Sequence, residues 1–324
     1  MQKQETKTEE LVTGKKRYAE LLCDFMFKRM FGTDSNKDIL IRFLNMVLED
    51  VEIVDVSFIP TEHSGMTEDD RKVIFDISCR CRDGRSFIIE MQKGYQKFFR
   101  ERALYYTTYP INEQARDAKN LYIKEKTEGK TDVKFSWDYN LKPVTVVAIL
   151  NFQFNHTSEW PKGRYHSSYR LWEDTYEDDL MTDALRFVFI ELGRFNKYLW
   201  ELETFFDKWL YLLKHIHELQ EIPKEFSDPF FKRLFMLAEI DNFTTDEKKQ
   251  YLKSLGDMGD YANIINTAAE EAHAKGKAEG REEGREAGRA ETKREDAKNL
   301  KELGVAVEII SKATGLSVEE IEKL

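Results

Sequence analysis

Ile39, Phe43 and Met46 fall at helical spacing within residues 38–49, with Leu40, Leu44, Val47 and Leu48 beside them and Asp38 where a cap belongs. The spacing predicts a helix at the start of the folded part. Residues 53–59 and 73–81 then alternate apolar with polar positions, and residues 87–91 follow after Arg82-Asp83-Gly84. These predict three strands, the last two joined as a hairpin. Residues 98–114 read as an aromatic-rich helix bent by Pro110, whose ring and missing N–H disfavour helix interiors. The nearly unbroken apolar run 144–152 predicts a strand buried on both faces. Residues 165–172 and 185–192 are further strand candidates. Residues 201–254 read as helical, with Phe205, Trp209, Leu210 and Leu213 on one face and breaks at Pro223 and Pro229. A mixed sheet flanked by helices, with a helical extension, follows from this order.

Beyond Thr267 the texture changes. Gly276, Gly280, Gly284 and Gly288 recur every four residues among Lys277, Arg281, Arg285, Arg289 and Lys293. Each interior glycine costs a helix about 1 kcal/mol relative to alanine, so four cost roughly 4 kcal/mol. Glu282 with Arg285 and Glu286 with Arg289 return only tenths of a kcal/mol per pair. The same helix of a second subunit, approaching closely, would make the glycines useful; a solvated, partly frayed charged helix is the other reading. Residues 300–324 hold two short helical patterns around Thr314-Gly315-Leu316-Ser317, with Ser317 as a cap and Gly315 supplying the turn. The second pattern carries Glu319, Glu320 and Glu322 where a DNA-reading helix would carry arginine or asparagine. Packing or dimerisation is the role expected of it.

The 324 residues divide accordingly into a core over 1–200, a helical extension over 201–266, the glycine-repeat helix over 267–299 and the small element 300–324. Residues 144–150 are far too few to cross a bilayer, which takes about 20 apolar residues. The polar amino terminus lacks a secretory pattern. Cys23, Cys79 and Cys81 have no metal-ligand spacing and read as reduced core thiols of a cytoplasmic protein. The net charge of −10 argues against nucleic acid only weakly, because charge is segregated along the chain. Residues 71–130 carry fourteen Lys or Arg against eight Asp or Glu, whereas residues 173–183 hold six acids and no Lys or Arg.

Two carboxylates interrupt hydrophobic strands: Asp76 within Val73-Ile74-Phe75-Asp76-Ile77, and Glu90 after Phe87-Ile88-Ile89. A buried acid meets a cation, meets a metal or takes up a proton. Paired acids suit a hard dication such as Mg²⁺, which prefers oxygen donors and keeps several waters. An exposed sheet edge, or ion pairs with Arg71, Lys72 or Arg80, would be the alternative. Hairpin register decides whether the two share a face. A two-residue turn at Asp83-Gly84 pairs Ile77 with Glu90 and separates the acids. A three-residue turn, Arg82-Asp83-Gly84, with Gly84 left-handed, pairs Asp76 with Glu90 and brings Gln92 to the same face. The bulged, three-residue hairpin is the one expected.

Asp76, the hairpin and Glu90-Met91-Gln92 resemble the PD-(D/E)XK nuclease superfamily, and more closely its recombination-promoting nuclease and transposase family. The superfamily pattern is an acid, then an acid separated by one residue from Lys on the adjacent strand. Gln92 stands at the Lys position, a replacement common in this family. Residues 24–32, residues 98–106 around Arg102, residues 141–144, the segment around Trp209 and the glycine repeat also resemble the family, so the likeness covers most of the chain. The resemblance implies a restriction-endonuclease-like α/β fold and a DNA endonuclease dependent on Mg²⁺, with Mn²⁺ able to replace it. Transferred residue by residue, it makes Asp76, Glu90 and Gln92 catalytic and Asp76 and Glu90 the metal ligands. Gln92 can orient a water but carries no charge, which implies reduced or strongly metal-dependent activity. Asp24 would add a further acid or cap the helix from Phe25 onward.

Lys93, Lys97, Arg100 and Arg102 follow the acids closely and would neutralise flanking phosphates, although Lys93 faces the other way in a regular strand. Ordinary solvated cations are the competing reading for each. Tyr105, Tyr106 and Tyr109 fit core packing better than base stacking, and His215 and His217 diverge on a helix. A homodimer through the C-terminal helices would let two sites address two DNA strands. Two other function classes stay open: a catalytically weak DNA-binding or assembly protein on the same fold, and a nuclease acting on RNA.

Overall fold

The computed structural model describes residues 16–63, 73–129, 135, 137–156, 159–176 and 179–324. Arg71 and Lys72, and Glu177 and Asp178 of the acidic run, lie outside them. Helices α1 (Asp24–Phe31) and α2 (Lys37–Val47) come first. Strands β1 (Ser57–Phe58), β2 (Glu62–His63), β3 (Val73–Ile74), β4 (Ile77–Arg80) and β5 (Ser86–Gln92) lead to α3 (Phe99–Thr127). Then come β6 (Val144–Leu150), β7 (His166–Trp172), β8 (Leu180–Glu191), α4 (Phe205–His215), α5 (Pro229–Ala238) and α6 (Thr245–Glu302), with α7 (Val307–Thr314) and α8 (Val318–Glu322) at the end.

A six-stranded mixed sheet of order β1-β4-β5-β6-β8-β7 organises the core. Strands β5, β6 and β8 run parallel, and the other pairs are antiparallel. Every residue of β6 is buried, as a central parallel strand requires. Strand alternation then sorts the side chains. Ile77, Cys79, Phe87, Ile89, Val147 and Ile149 face the cluster built by α1, α2, α4 and α5, whereas Ile88, Val146, Ala148 and Phe189 pack with Phe99, Ala103 and Tyr106 of α3. Both faces are covered, and the fold is the restriction-endonuclease-like α/β architecture expected.

Several expectations need correction. The run 73–81 is not one strand: Phe75 and Asp76 interrupt it, because the Phe75 N–H donates to Thr61 O (2.9 Å) and β3 pairs with β2 in a separate two-stranded sheet. Helix α3 continues past Gln114 to Thr127, with Pro110 inside it. Asp38 is not the cap of α2; Asn36 is, while Asp38 forms an ion pair with Arg233. No boundary falls at 200, since Trp209, Leu213, Phe231 and Phe235 share one core with Phe27, Phe31 and Phe43.

The described residues up to Met258 form one compact unit and Gly259–Leu324 a second. In the first, α6 buries Tyr251; in the second, Ala297 joins Ile310 and Ile321 in a small core. Gly315 is left-handed (φ 74°), and Ser317 caps α8 in a reciprocal pair with Glu320, as the sequence predicts. The four repeat glycines lie within continuous helix, and a Cβ at any of them would meet open space. No described helix is long and apolar enough to cross a membrane.

Asp207 anchors α4 to the sheet. It is fully buried. Its carboxylate accepts hydrogen bonds from Lys197 Nζ (2.8 Å), Thr204 N–H (3.1 Å) and the Tyr165 hydroxyl. Burial acts to raise its pKa, but these donors together hold it below the ordinary 3.8. Asp207→Ala therefore costs about 2 kcal/mol in urea unfolding at neutral pH, through the lost cap and the lost hydrogen bonds of Tyr165 and Lys197. The contribution is complete above pH 3.8 and disappears as pH falls through the lower folded value, so the gap from wild type narrows in acid.

Candidate active site

The β4–β5 hairpin turns through Arg82, Asp83 and Gly84. Gly84 N–H donates to Cys81 O (3.0 Å), Cys81 N–H donates to Arg85 O (2.8 Å), and Gly84 takes φ 94°, a region L side chains rarely enter. A Cβ there would also press on Lys142 at 2.9 Å. The three-residue turn sets Ile77 against Ile89, Ser78 against Ile88, Cys79 against Phe87 and Arg80 against Ser86. Continued one step, that register brings Asp76 opposite Glu90. The separating two-residue turn is not the one adopted.

Beyond the paired strands, side chains take over from the ladder. The Asp76 N–H donates to Glu90 Oε1 (3.2 Å), and the Met91 N–H donates to Asp76 Oδ2 (2.8 Å). Each acid is thus held by the backbone of the other's segment. Glu90 is 1% exposed, and Asp76 is half-buried. Among the described residues neither acid has an ion-pair partner: Arg80, the candidate cation, instead bridges Glu113 (3.4 Å) and Asp117 (3.1 Å) on α3. Burial raises both carboxyl pKa values. Asp76's charge raises that of Glu90 further, and Asp24 adds to the rise at Asp76. Arg102 and the backbone donors oppose the shifts without cancelling them.

Gln92 lies on the same strand face as Glu90, and its Nε2 donates to Glu90 Oε2 (3.2 Å). Its Oε1 accepts from Gln96 Nε2 (2.9 Å), and Gln96 Oε1 accepts from Arg102 Nη1 (2.8 Å). The Arg102 Nε completes the line by donating to the hydroxyl of buried Tyr106. Gln96 and Tyr106 were not legible as site residues, because this relay is closed by the packing of α3 on the sheet. Lys93 behaves differently: it pairs with Glu20 (2.6 Å), so it is already occupied in this structure. Lys97, over the Phe98 ring (5.2 Å), and Arg100, over the Phe154 ring (4.3 Å), are exposed. Asp24 does not cap α1; Cys23 holds that position, and Asp24 pairs with Lys28 (2.8 Å).

The donor set fits a hard dication in chemistry. Two carboxylates without a basic partner converge, and Asp76 Oδ1 accepts no hydrogen bond among the described residues. No group of three or more Asp, Glu, His or Cys converges as metal ligands among those residues. A bound ion would therefore keep solvent or substrate oxygens, as Mg²⁺ does readily.

A mixed sheet covered on both faces, with two acids juxtaposed on a bulged hairpin, is the architecture of the PD-(D/E)XK nucleases. The model of the PD-(D/E)XK nuclease family transposases matches residues 21–268, and the chain belongs to that family. No curated protein and no solved structure matches it. The nucleases of this superfamily generally use divalent metals.

The raised carboxyl pKa values carry a stability signature. Protons bind the folded acids more tightly than the unfolded ones, so in chelator the fold loses stability as pH rises from the ordinary carboxylate range through the raised values. Glu90→Gln retains an oxygen for the Asp76 N–H and removes one charge. It should flatten that decline and raise metal-free stability by about 1 kcal/mol at pH 8, read by urea titration across pH.

Proposed function

We propose that the chain is a divalent-cation-dependent DNA endonuclease, with Asp76 and Glu90 as the metal ligands. The observation that carries this reading is the pair itself: two carboxylates brought together across the hairpin with no basic residue bridging them among the described residues, in a member of a nuclease family. Mg²⁺ is the cation expected, with Mn²⁺ as a substitute. When bound, the metal supplies neutralisation of the scissile phosphate, a lowered pKa for a coordinated water and a counter-charge for the leaving oxygen.

The protein's own residues do the positioning. The Met91 N–H fixes one oxygen of Asp76, the Asp76 N–H fixes one of Glu90, and Gln92 holds the other oxygen of Glu90. Gln92 acts as a positioning residue and brings no charge. Arg102 supplies the positive charge that a lysine at position 92 would have carried, since its guanidinium acts electrostatically on both acids and is oriented by Gln96 and Tyr106. Lys97 and Arg100 stand ready for flanking phosphates, an interaction that positions DNA without reading sequence. Lys93 would have to leave Glu20 to join them.

A dimer through the C-terminal helices belongs to the same reading and is supported by the open glycine stripe of α6. Light scattering of the full chain and of a form with all four repeat glycines changed to glutamate tests it; a monomer in both would remove it. The engagement of Gln92 by Glu90 and Gln96 also favours a second reading, a weakly catalytic DNA binder.

Plasmid nicking separates the two. Cleavage in Mg²⁺ that chelator abolishes, and that Asp76→Ala or Glu90→Ala lowers by on the order of 10²-fold or more, is the outcome expected. Arg102→Gln should lower kcat by about 10-fold to 10²-fold with a smaller change in KM. DNA retention without cleavage in any divalent metal would favour the binder, and digestion of RNA in preference to DNA would reassign the substrate.

A further inference from the structure

A cation and aromatic ladder runs from α3 across the ends of the parallel strands, outside the acid pair. Arg100 lies over the Phe154 ring (4.3 Å), Phe154 meets the His156 ring edge-on (6.3 Å), His156 stacks on Trp160 (3.5 Å, 11°), and Arg164 lies over Trp160 (4.7 Å). Arg164 closes a turn with Pro161, its N–H donating to Pro161 O (3.1 Å), and Gly163 at φ 78° lets that turn form. The same turn exposes Lys162.

The ladder is anchored by a second buried acid. Glu191 ends the apolar run of β8 and is 1% exposed, yet unlike Glu90 it is sealed. It accepts from the Phe154 N–H (2.7 Å) and Arg194 Nε (3.0 Å) and binds His156 Nε2 (2.9 Å). Arg194 thereby cancels Glu191. What remains on the surface is Arg100, Lys162 and Arg164 against the exposed Glu159. Register relates this cluster to the acid pair, because Gln92 of β5 is level with Leu150 of β6, and Leu150 with Glu191 of β8. Two strand spacings of ~4.8 Å put Glu191 roughly 10 Å across the sheet from Gln92. Phe154 packs on the α3 face, the face that carries Glu90 and Gln92.

We infer that Lys162 and Arg164, continuing from Arg100, form a phosphate track that holds the DNA strand to one side of the scissile bond, across the strand ends from the acid pair. The inference rests on the nuclease reading above. The aromatic ladder fixes the cations; sequence is not read here. In the sequence, the signal was the short run Trp160-Pro161-Lys162-Gly163-Arg164, a basic turn beside an aromatic, which has no meaning until β5, β6 and β8 are set level.

Anisotropy of a fluorescein-labelled duplex, titrated with the full chain bearing Glu90→Gln in Mg²⁺ at several salt concentrations, tests the track. Adding Lys162→Glu with Arg164→Glu should weaken binding by about 10-fold or more and flatten the log–log salt slope by about 2, one unit for each phosphate no longer neutralised. Lys162→Gln with Arg164→Gln should give a smaller loss in the same direction and guards against misfolding of the reversed pair. Arg82→Glu, at the hairpin turn on the far end of β5, should change neither quantity. If the parent binds DNA and both double variants match it in affinity and slope, the track is wrong and the nuclease reading stands. If the parent fails to bind DNA even at low salt, both fall together.

Discussion

Everything distinctive about the site depends on two carboxylates being held together across one hairpin. Burial raises the pKa of both acids, and the charge of Asp76 raises that of Glu90 further, so ionising the pair without a cation is costly. The fold tolerates the arrangement because each acid takes a backbone N–H from the other's segment, a bond made where regular strand pairing would have placed a carbonyl. The hairpin turn governs this at a distance. Gly84 in the left-handed region lets a three-residue turn close, and with side chains alternating along both strands, one residue fewer would have sent Asp76 and Glu90 to opposite faces. A glycine far from the acids thus decides whether they meet.

Glu191 supplies an internal comparison. It ends an apolar strand as Glu90 does, on the same sheet and face, and is equally buried. Arg194, His156 and the Phe154 N–H satisfy it completely. Its charge is a structural one, matched on the spot, and the cations that lie beyond it are left over for other work. Among the described residues Glu90 has only Gln92, a backbone N–H and the distant field of Arg102. The difference between a structural and a functional carboxylate here is the supply of positive charge, which is a property of the neighbours.

Helix α3 performs two tasks that a single amphipathic face could not announce. Its buried positions Phe99, Ala103 and Tyr106 close the sheet, and Arg80 ties its middle to β4 through Glu113 and Asp117. In the same turns, Arg102 reaches toward the acids and Arg100 toward Phe154. Positive charge is thereby distributed on both sides of the strand ends by one rigid element, which keeps the cations at fixed spacing from the carboxylates.

Local pattern alone determined the buried central strand β6, the bulged hairpin, the Ser317 cap and the pairing of Asp76 with Glu90, because each follows from alternation, turn chemistry or capping within a few residues. It also marked Lys93, Lys97, Arg100 and Arg102 as cations, without telling an engaged one from a free one. That distinction belonged to the tertiary structure, where Glu20 claims Lys93 and Gln96 with Tyr106 claims Arg102. The break at Phe75, the extension of α3 to Thr127 and the merging of residues beyond 200 into one core were likewise settled by partners remote in sequence. The physical reason is common to all of them: periodicity says which face a side chain occupies, whereas charge compensation and helix length depend on what that face meets.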